Sequence, residues 1–190
     1  MGELLNLELE QKAIAVRERL AAAVEQYGRV VYSSSLGAES VVLTDIIWSH
    51  FPAIDIFTID TGRLPEETYE LIGKVQARYR RNLRVVYPDA KALESLVSAQ
   101  GVNAFYNSLE ARTACCQIRK VEPFKRAIAG YGAWVTGVRH EQSATRAQAL
   151  PVEWEHGAGA KVASAESIYS AMRTSTEAAL KRKKDLQPKL

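Results

Sequence analysis

Apolar positions along this chain switch repeatedly between two periods. Leu9, Ala13, Val16, Leu20 and Val24 recur near helical spacing and predict an amphipathic helix over residues 7–27, which Gly28 stops. The next run, Arg29-Val-Val-Tyr-Ser33, is short, β-branched and apolar, as a buried strand requires. Helical character returns over 40–50 and ends at Phe51-Pro52. Residues 54–59 predict a second strand, 66–81 a helix opened by Pro65, and 83–87 a third strand. A helix over 90–99, a loop through 101–107, a helix over 116–129 and a fourth strand over 133–136 complete the regular part.

Strand and helix alternate throughout, which predicts a single α/β domain with a mainly parallel sheet and helices on both faces. In such sheets ligands bind beyond the carboxyl ends of the strands. The segments 33–40, 60–63 and 137–146 each follow a predicted strand, so they should converge on one crevice. After residue 157 the character changes: Gly157-Ala-Gly-Ala160 reads as a linker, 164–180 as a weakly amphipathic helix, and Lys181-Arg-Lys-Lys184 as a solvated charge run. The expected division is an α/β domain over 1–157 and a divergent helical tail over 158–190.

Composition narrows the classes. The 190 residues are 47% hydrophobic and 25% charged, ordinary globular usage. A formal net charge of +3 suits an anionic small molecule and is too weak to indicate nucleic acid. Two cysteines exclude a disulfide framework and point to a reducing compartment. Residues 1–20 lack a basic leader, and no apolar run reaches the roughly 18 residues of a membrane helix. The expected location is cytoplasmic, without a membrane partner.

The first and third of the three loops suit an oxyanion, with a simple serine-capped helix and a solvated surface loop as their respective alternatives, and the second suits a nucleoside. Ser33, Ser34, Ser35 and Ser40 supply hydroxyls around Gly37, Ala38 and Glu39, at the start of a helix whose N–H groups and dipole favour an anion. No Gly-Lys-Ser/Thr follows, so this is not a Walker A loop. Asp60, Thr61 and Gly62 can accept from ribose or expose backbone to a base, or form an ordinary turn that caps the next helix. Arg139 and Arg146 offer guanidinium forks for phosphate or sulfate, with His140 between them.

Cys115 and Cys116 are adjacent. A disulfide needs Cα atoms about 4.4–6.8 Å apart, and neighbours reach that only with strain. The flanking Arg119, Lys120, Lys125 and Arg126 make a positive field suited to thiolates, which bind soft metals. The alternative is two small buried residues at a helix start.

The order of these motifs resembles the assimilatory sulfonucleotide reductases, which reduce adenylyl sulfate (APS) or phosphoadenylyl sulfate (PAPS). Ser33-Ser-Ser-Leu-Gly-Ala-Glu39 is similar to that family's modified pyrophosphatase-type loop, and Asp60-Thr-Gly-Arg-Leu-Pro-Glu-Glu-Thr-Tyr69 to its second nucleotide loop. Cys115-Cys-Gln-Ile-Arg-Lys-Val-Glu-Pro123 resembles the cysteine-pair motif of the APS branch, and Gly137-Val-Arg-His-Glu-Gln-Ser-Ala-Thr-Arg146 the arginine loop. The resemblance runs from about residue 10 to about 155.

It implies an adenine-nucleotide alpha-hydrolase-like fold of PP-loop type, and reduction of APS to sulfite with electrons from thioredoxin or a similar dithiol protein. It also implies that residues 33–40 hold the phosphosulfate and that Asp60, Thr61 and Gly62 hold adenosine. Lys120, Arg139 and Arg146 would neutralise the anion, and Cys115 and Cys116 would be two of four ligands to a [4Fe-4S] cluster. A homo-oligomer is compatible with it. An ATP-pyrophosphatase-type adenylating enzyme fits less well, because Ser34-Ser-Leu-Gly-Ala-Glu39 stands where Ser-Gly-Gly-x-Asp-Ser is usual.

Family members continue with a Cys-x-x-Cys and a C-terminal cysteine within Glu-Cys-Gly-Leu-His, and this sequence contains neither. The expectations are a truncated, frame-shifted or naturally short form, no catalytic cysteine, an incomplete cluster and impaired reduction. The alternative is a nucleotide-binding remnant without redox activity.

Overall fold

The computed structural model describes residues 2–137, 152–155 and 159–163. Helix α1 (Gly2–Tyr27) leads into strand β1 (Val30–Ser33). Helix α2 (Ala38–His50), strand β2 (Asp55–Ile59), helix α3 (Glu66–Tyr79) and strand β3 (Arg84–Val86) follow. The chain continues through α4 (Ala90–Gln100), a 3₁₀ turn (Ala104–Tyr106), α5 (Leu109–Cys116), a π turn (Gln117–Val121) and α6 (Glu122–Ile128). Strands β4 (Ala133–Thr136), β5 (Val152–Glu155) and β6 (Gly159–Ala163) complete the sheet.

The strand order is β3-β2-β1-β4-β6-β5. All pairings are parallel except β5 with β6. β1 stands between β2 and β4, with Ser33 opposite Phe57 on one side and Thr136 on the other. The chain proceeds outward from β1 in both directions, so the order reverses there and a crevice opens beyond Ser33 and Thr136.

Side-chain alternation explains the layers. Val30 and Tyr32 of β1, Ile56 of β2, and Ala133 and Val135 of β4 share one buried cluster with Val16 and Leu20 of α1, Leu43 and Ile47 of α2, and Val75 of α3. Val31, Phe57 and Trp134 face the other way, onto Ala127, Ile128 and Phe124 of α6. The Phe124 and Trp134 rings meet edge to face with centroids 4.8 Å apart. Full burial of each such side chain contributes about 1.5–3 kcal/mol. The expected α/β class with helices on both faces of a mainly parallel sheet is the architecture the chain adopts.

Some expectations are corrected. The helix expected over 116–129 begins at Leu109, where Ser108 caps it by accepting from the Ala111 N–H at 3.1 Å. It is also interrupted. Pro123 has no N–H to donate to the carbonyl four residues back, and the chain widens into the π turn just before it. Gly159 and Ala160, read as linker, begin β6, so the sheet extends past residue 157. The helix expected over 164–180 lies outside the described residues.

Tyr32 is fully buried, and burial pushes its phenol well above the ordinary value of about 10. The folded state therefore keeps that proton at pH values where the unfolded chain has lost it. The stability that follows is present below pH 10 and declines as pH rises beyond it. Urea midpoints measured from about pH 8 to about pH 11 should show the decline, and Tyr32→Phe should blunt it.

Candidate functional site

The loop after β1 is shaped by its own backbone. Leu36 adopts a left-handed conformation with φ 60° and is buried. That conformation costs about 1–2 kcal/mol, and burying a leucine side chain offsets it by a similar amount. Gly37 is extended, with φ −67° and ψ 169°, so the turn is made at Leu36 and not at the glycine. As N-cap of α2, Gly37 has no side chain to accept from the first-turn N–H groups, and these stay available to an anion. Ser34 accepts from the Leu36 N–H at 3.3 Å, and the Ser35 and Ser40 hydroxyl oxygens lie 2.7 Å apart.

Beyond the strand ends lies a cavity of about 470 Å³. Ser33, Ser34, Ser35 and Ser40 form one wall, Thr58, Thr61 and Thr68 another, and Thr136 with Gly137 closes the β4 side. Lys120 is the one charged residue of that lining among the described residues. A second cavity, of about 310 Å³, is lined by Cys115, Cys116, Arg63, Arg112, Arg119 and Lys120 with Phe105, Tyr106 and Thr61. Four of these residues are cationic and none carries a carboxylate, so this space also favours an anion. Thr61 and Lys120 belong to both walls.

Arg119 holds the boundary. It is only 8% exposed, and its Nη1 donates to the Thr61 carbonyl at 2.5 Å. Its Nε has no hydrogen-bond partner among the described residues. A buried guanidinium without a carboxylate is costly unless an anion completes it. The π turn sets the phase of Arg119 and Lys120, as π turns often do at functional sites. Gly62 permits the approach: its φ is +70°, and a Cβ there would lie 3.2 Å from the Arg119 Nη1.

Asp60 shapes the same turn. Its Oδ1 accepts from the Gly62 N–H at 2.7 Å and from the Tyr69 hydroxyl at 3.0 Å. Desolvation first, and the Asp60 carboxylate second, push the Tyr69 phenol above its ordinary value. On the outer side Arg63 donates to the Asn103 side-chain oxygen and stacks 4.9 Å from the Phe105 ring centroid.

Of the residues singled out in the sequence, Ser33, Ser34, Ser35, Ser40, Thr61 and Lys120 meet in the first cavity. Gly37, Ala38, Glu39, Asp60 and Gly62 support its loops but are not among its lining residues. Cys115 is half-buried and Cys116 exposed, at the end of α5, which removes the alternative of two buried residues at a helix start. Arg139, His140 and Arg146 lie outside the described residues, as does the loop that carries them. The sequence reading missed Arg119 as a buried residue, and Thr58, Thr68 and Thr136 as wall hydroxyls. Thr136 could have been found, because it ends β4 beside the serine loop.

A [4Fe-4S] cluster needs four thiolates of its usual kind. The sequence has two cysteines, and among the described residues no group of three or more His, Cys, Asp or Glu side chains could hold a metal ion. Cys115 and Cys116 supply half of the donor set, so the residues present do not by themselves fit the cluster. Among the described residues no helix is long and apolar enough to cross a membrane.

Comparison with known proteins agrees with this geometry. Residues 29–165 match the family model described as phosphoadenosine phosphosulfate reductase domain. The chain is 46% identical over 151 residues to an adenosine 5'-phosphosulfate reductase of Allochromatium vinosum, and 43% over 155 residues to one of Burkholderia cepacia. These alignments cover 80% and 82% of this chain but 59% and 62% of the relatives. A crystal structure of phosphoadenylyl-sulfate (PAPS) reductase from Candida auris, as a phosphate complex, superposes with a TM-score of 0.67 at 27% identity. That superposition covers 86% of this chain and 79% of that one. Because the family match takes in every strand from β1 to β6, and with them both cavities, the chain belongs to the phosphoadenosine phosphosulfate reductase domain family.

Proposed function

We propose that this chain binds adenylyl sulfate in the serine-lined cavity, as the sulfonucleotide-binding part of a reductase that releases sulfite. The observation that carries the reading is the shared wall. The hydroxyl-lined cavity at the strand ends adjoins the cysteine cavity through Thr61 and Lys120. A sulfate group in the first cavity would therefore lie toward the thiols of the second.

The roles follow from the chemistry of each group. Ser33, Ser34, Ser35 and Ser40, with the first-turn N–H groups of α2, hold the phosphosulfate oxygens. Lys120, exposed and without an ion pair among the described residues, neutralises charge as a mobile ammonium. Thr61 offers its side chain to the nucleotide, while Asp60 and Gly62 keep the turn in shape. Arg139 and Arg146, which follow Gly137 in the sequence, would add guanidinium forks for the same anion. The cysteine-pair motif favours APS over PAPS.

In the overall reaction a dithiol donor such as thioredoxin supplies two electrons. The S–O bond to AMP breaks, sulfite leaves, and the donor becomes a disulfide. The two thiols of this sequence complete neither the four-thiolate set nor the separate attacking thiol that the family resemblance implies. Binding is thus the part of the function that the described residues carry, and reduction needs thiols beyond Cys115 and Cys116. The setting is the cytoplasm.

Two outcomes are expected. Calorimetric titration should show APS binding to the purified chain. Lys120→Ala, which removes a charge-assisted contact, should weaken it about tenfold, or about 1.5 kcal/mol, and Ser35→Ala should weaken it less. Unchanged affinity in both variants would remove the proposed pocket. Separately, iron and sulfide analysis should find less than a full four-iron cluster per chain, and sulfite release from APS with thioredoxin should be near background. Robust sulfite formation by the purified chain would overturn the division between binding and reduction.

A further inference from the structure

Tyr32 is fully buried on β1, in the same core cluster as Leu36, Leu43 and Ile47. A phenylalanine would fill the same space, so packing does not explain its hydroxyl. That hydroxyl donates to the Ser40 carbonyl at 3.3 Å. The same carbonyl already accepts from the Thr44 hydroxyl at 2.8 Å. The Tyr32 bond therefore does not rescue an orphaned acceptor; it ties the first turn of α2 to the core of the sheet. On the other side of that turn, the Ser40 Oγ lies 2.7 Å from the Ser35 Oγ and accepts from the Ser35 N–H at 3.3 Å. A continuous path runs from the core through Tyr32 and Ser40 to Ser35, and both serines line the cavity.

From this path we infer that Tyr32 is a positioning residue for the anion cradle: its hydroxyl fixes the Ser40 backbone and so places the Ser35–Ser40 hydroxyl pair against the bound oxyanion. The inference rests on the reading of the cavity as a sulfonucleotide site and adds a residue that touches no ligand. Because burial holds the phenol in its protonated form, it remains a donor through the working pH range.

The test is a double-substitution cycle on the full chain, with APS, AMP and adenosine as separate probes. Tyr32→Phe should fold, keep its thermal midpoint near that of the parent at neutral pH, and bind APS and AMP about fivefold more weakly. Adenosine, which lacks the anion, should lose little. In a Ser40→Ala background the same substitution should cause no further loss, because the path is already cut. Thr44→Val, acting on the same carbonyl, should show the same pattern and serves if Tyr32→Phe does not fold. Unchanged AMP affinity, equal loss for adenosine, or an equal loss in both backgrounds would overturn the positioning role alone. A parent chain that binds neither APS nor AMP would overturn the nucleotide reading, and this inference with it.

Discussion

Parallel pairing of β1 with both β2 and β4 is the constraint on which everything else depends. Parallel neighbours must be joined by crossovers, so each strand delivers its following loop to the same end of the sheet. With β1 in the middle and the chain leaving it on both sides, Ser33 and Thr136 become lateral neighbours. The serine loop, the Asp60–Gly62 turn and the residue after β4 have no alternative meeting place. Hydrogen bonding between backbones, and not attraction between the polar side chains, gathers the hydroxyls.

Around that crevice the polar groups are braced from behind. Leu36 is held in an unfavourable conformation by the burial of its own side chain. Asp60 spends its carboxylate on a turn N–H and a tyrosine hydroxyl. Arg119 reaches across from the cysteine segment to a carbonyl of that same turn. These residues cost stability locally and are sustained by the two apolar layers of the sheet. The resulting surfaces are pre-set for negative charge before any ligand arrives.

Legibility in the sequence followed the length scale of each signal. Strands β1 to β4 are short β-branched runs between turn residues, and the sequence located each within a residue or so. Helix α5 escaped because Leu109-Glu-Ala-Arg-Thr-Ala-Cys-Cys116 has little apolar periodicity; only the Ser108 cap marks its start. Strand β5 does alternate, in Val152-Glu-Trp-Glu155, and pairs with the nearby β6, but the parallel pairing of β6 with β4 that joins both to the sheet is long-range information. Glycine at residue 159 reads as a break when the strand's other neighbour is unknown. The hydroxyl loops could be found from their positions after strands. The burial of Arg119 could not, because an arginine beside a lysine reads as a solvated pair until the turn facing it is known.

The π turn at Gln117–Val121 sets an angular relation between two neighbouring segments. An α-helix advances about 100° per residue, so the faces of an uninterrupted helix keep a fixed phase along its length. The wider turn inserts an offset between the segment that presents Cys115 and the segment that lays Ala127 and Ile128 on the sheet. Deleting a single residue there would rotate the cysteines about a quarter-turn relative to the sheet while leaving every strand in register. A change that small in the gene could separate the two cavities without unfolding either.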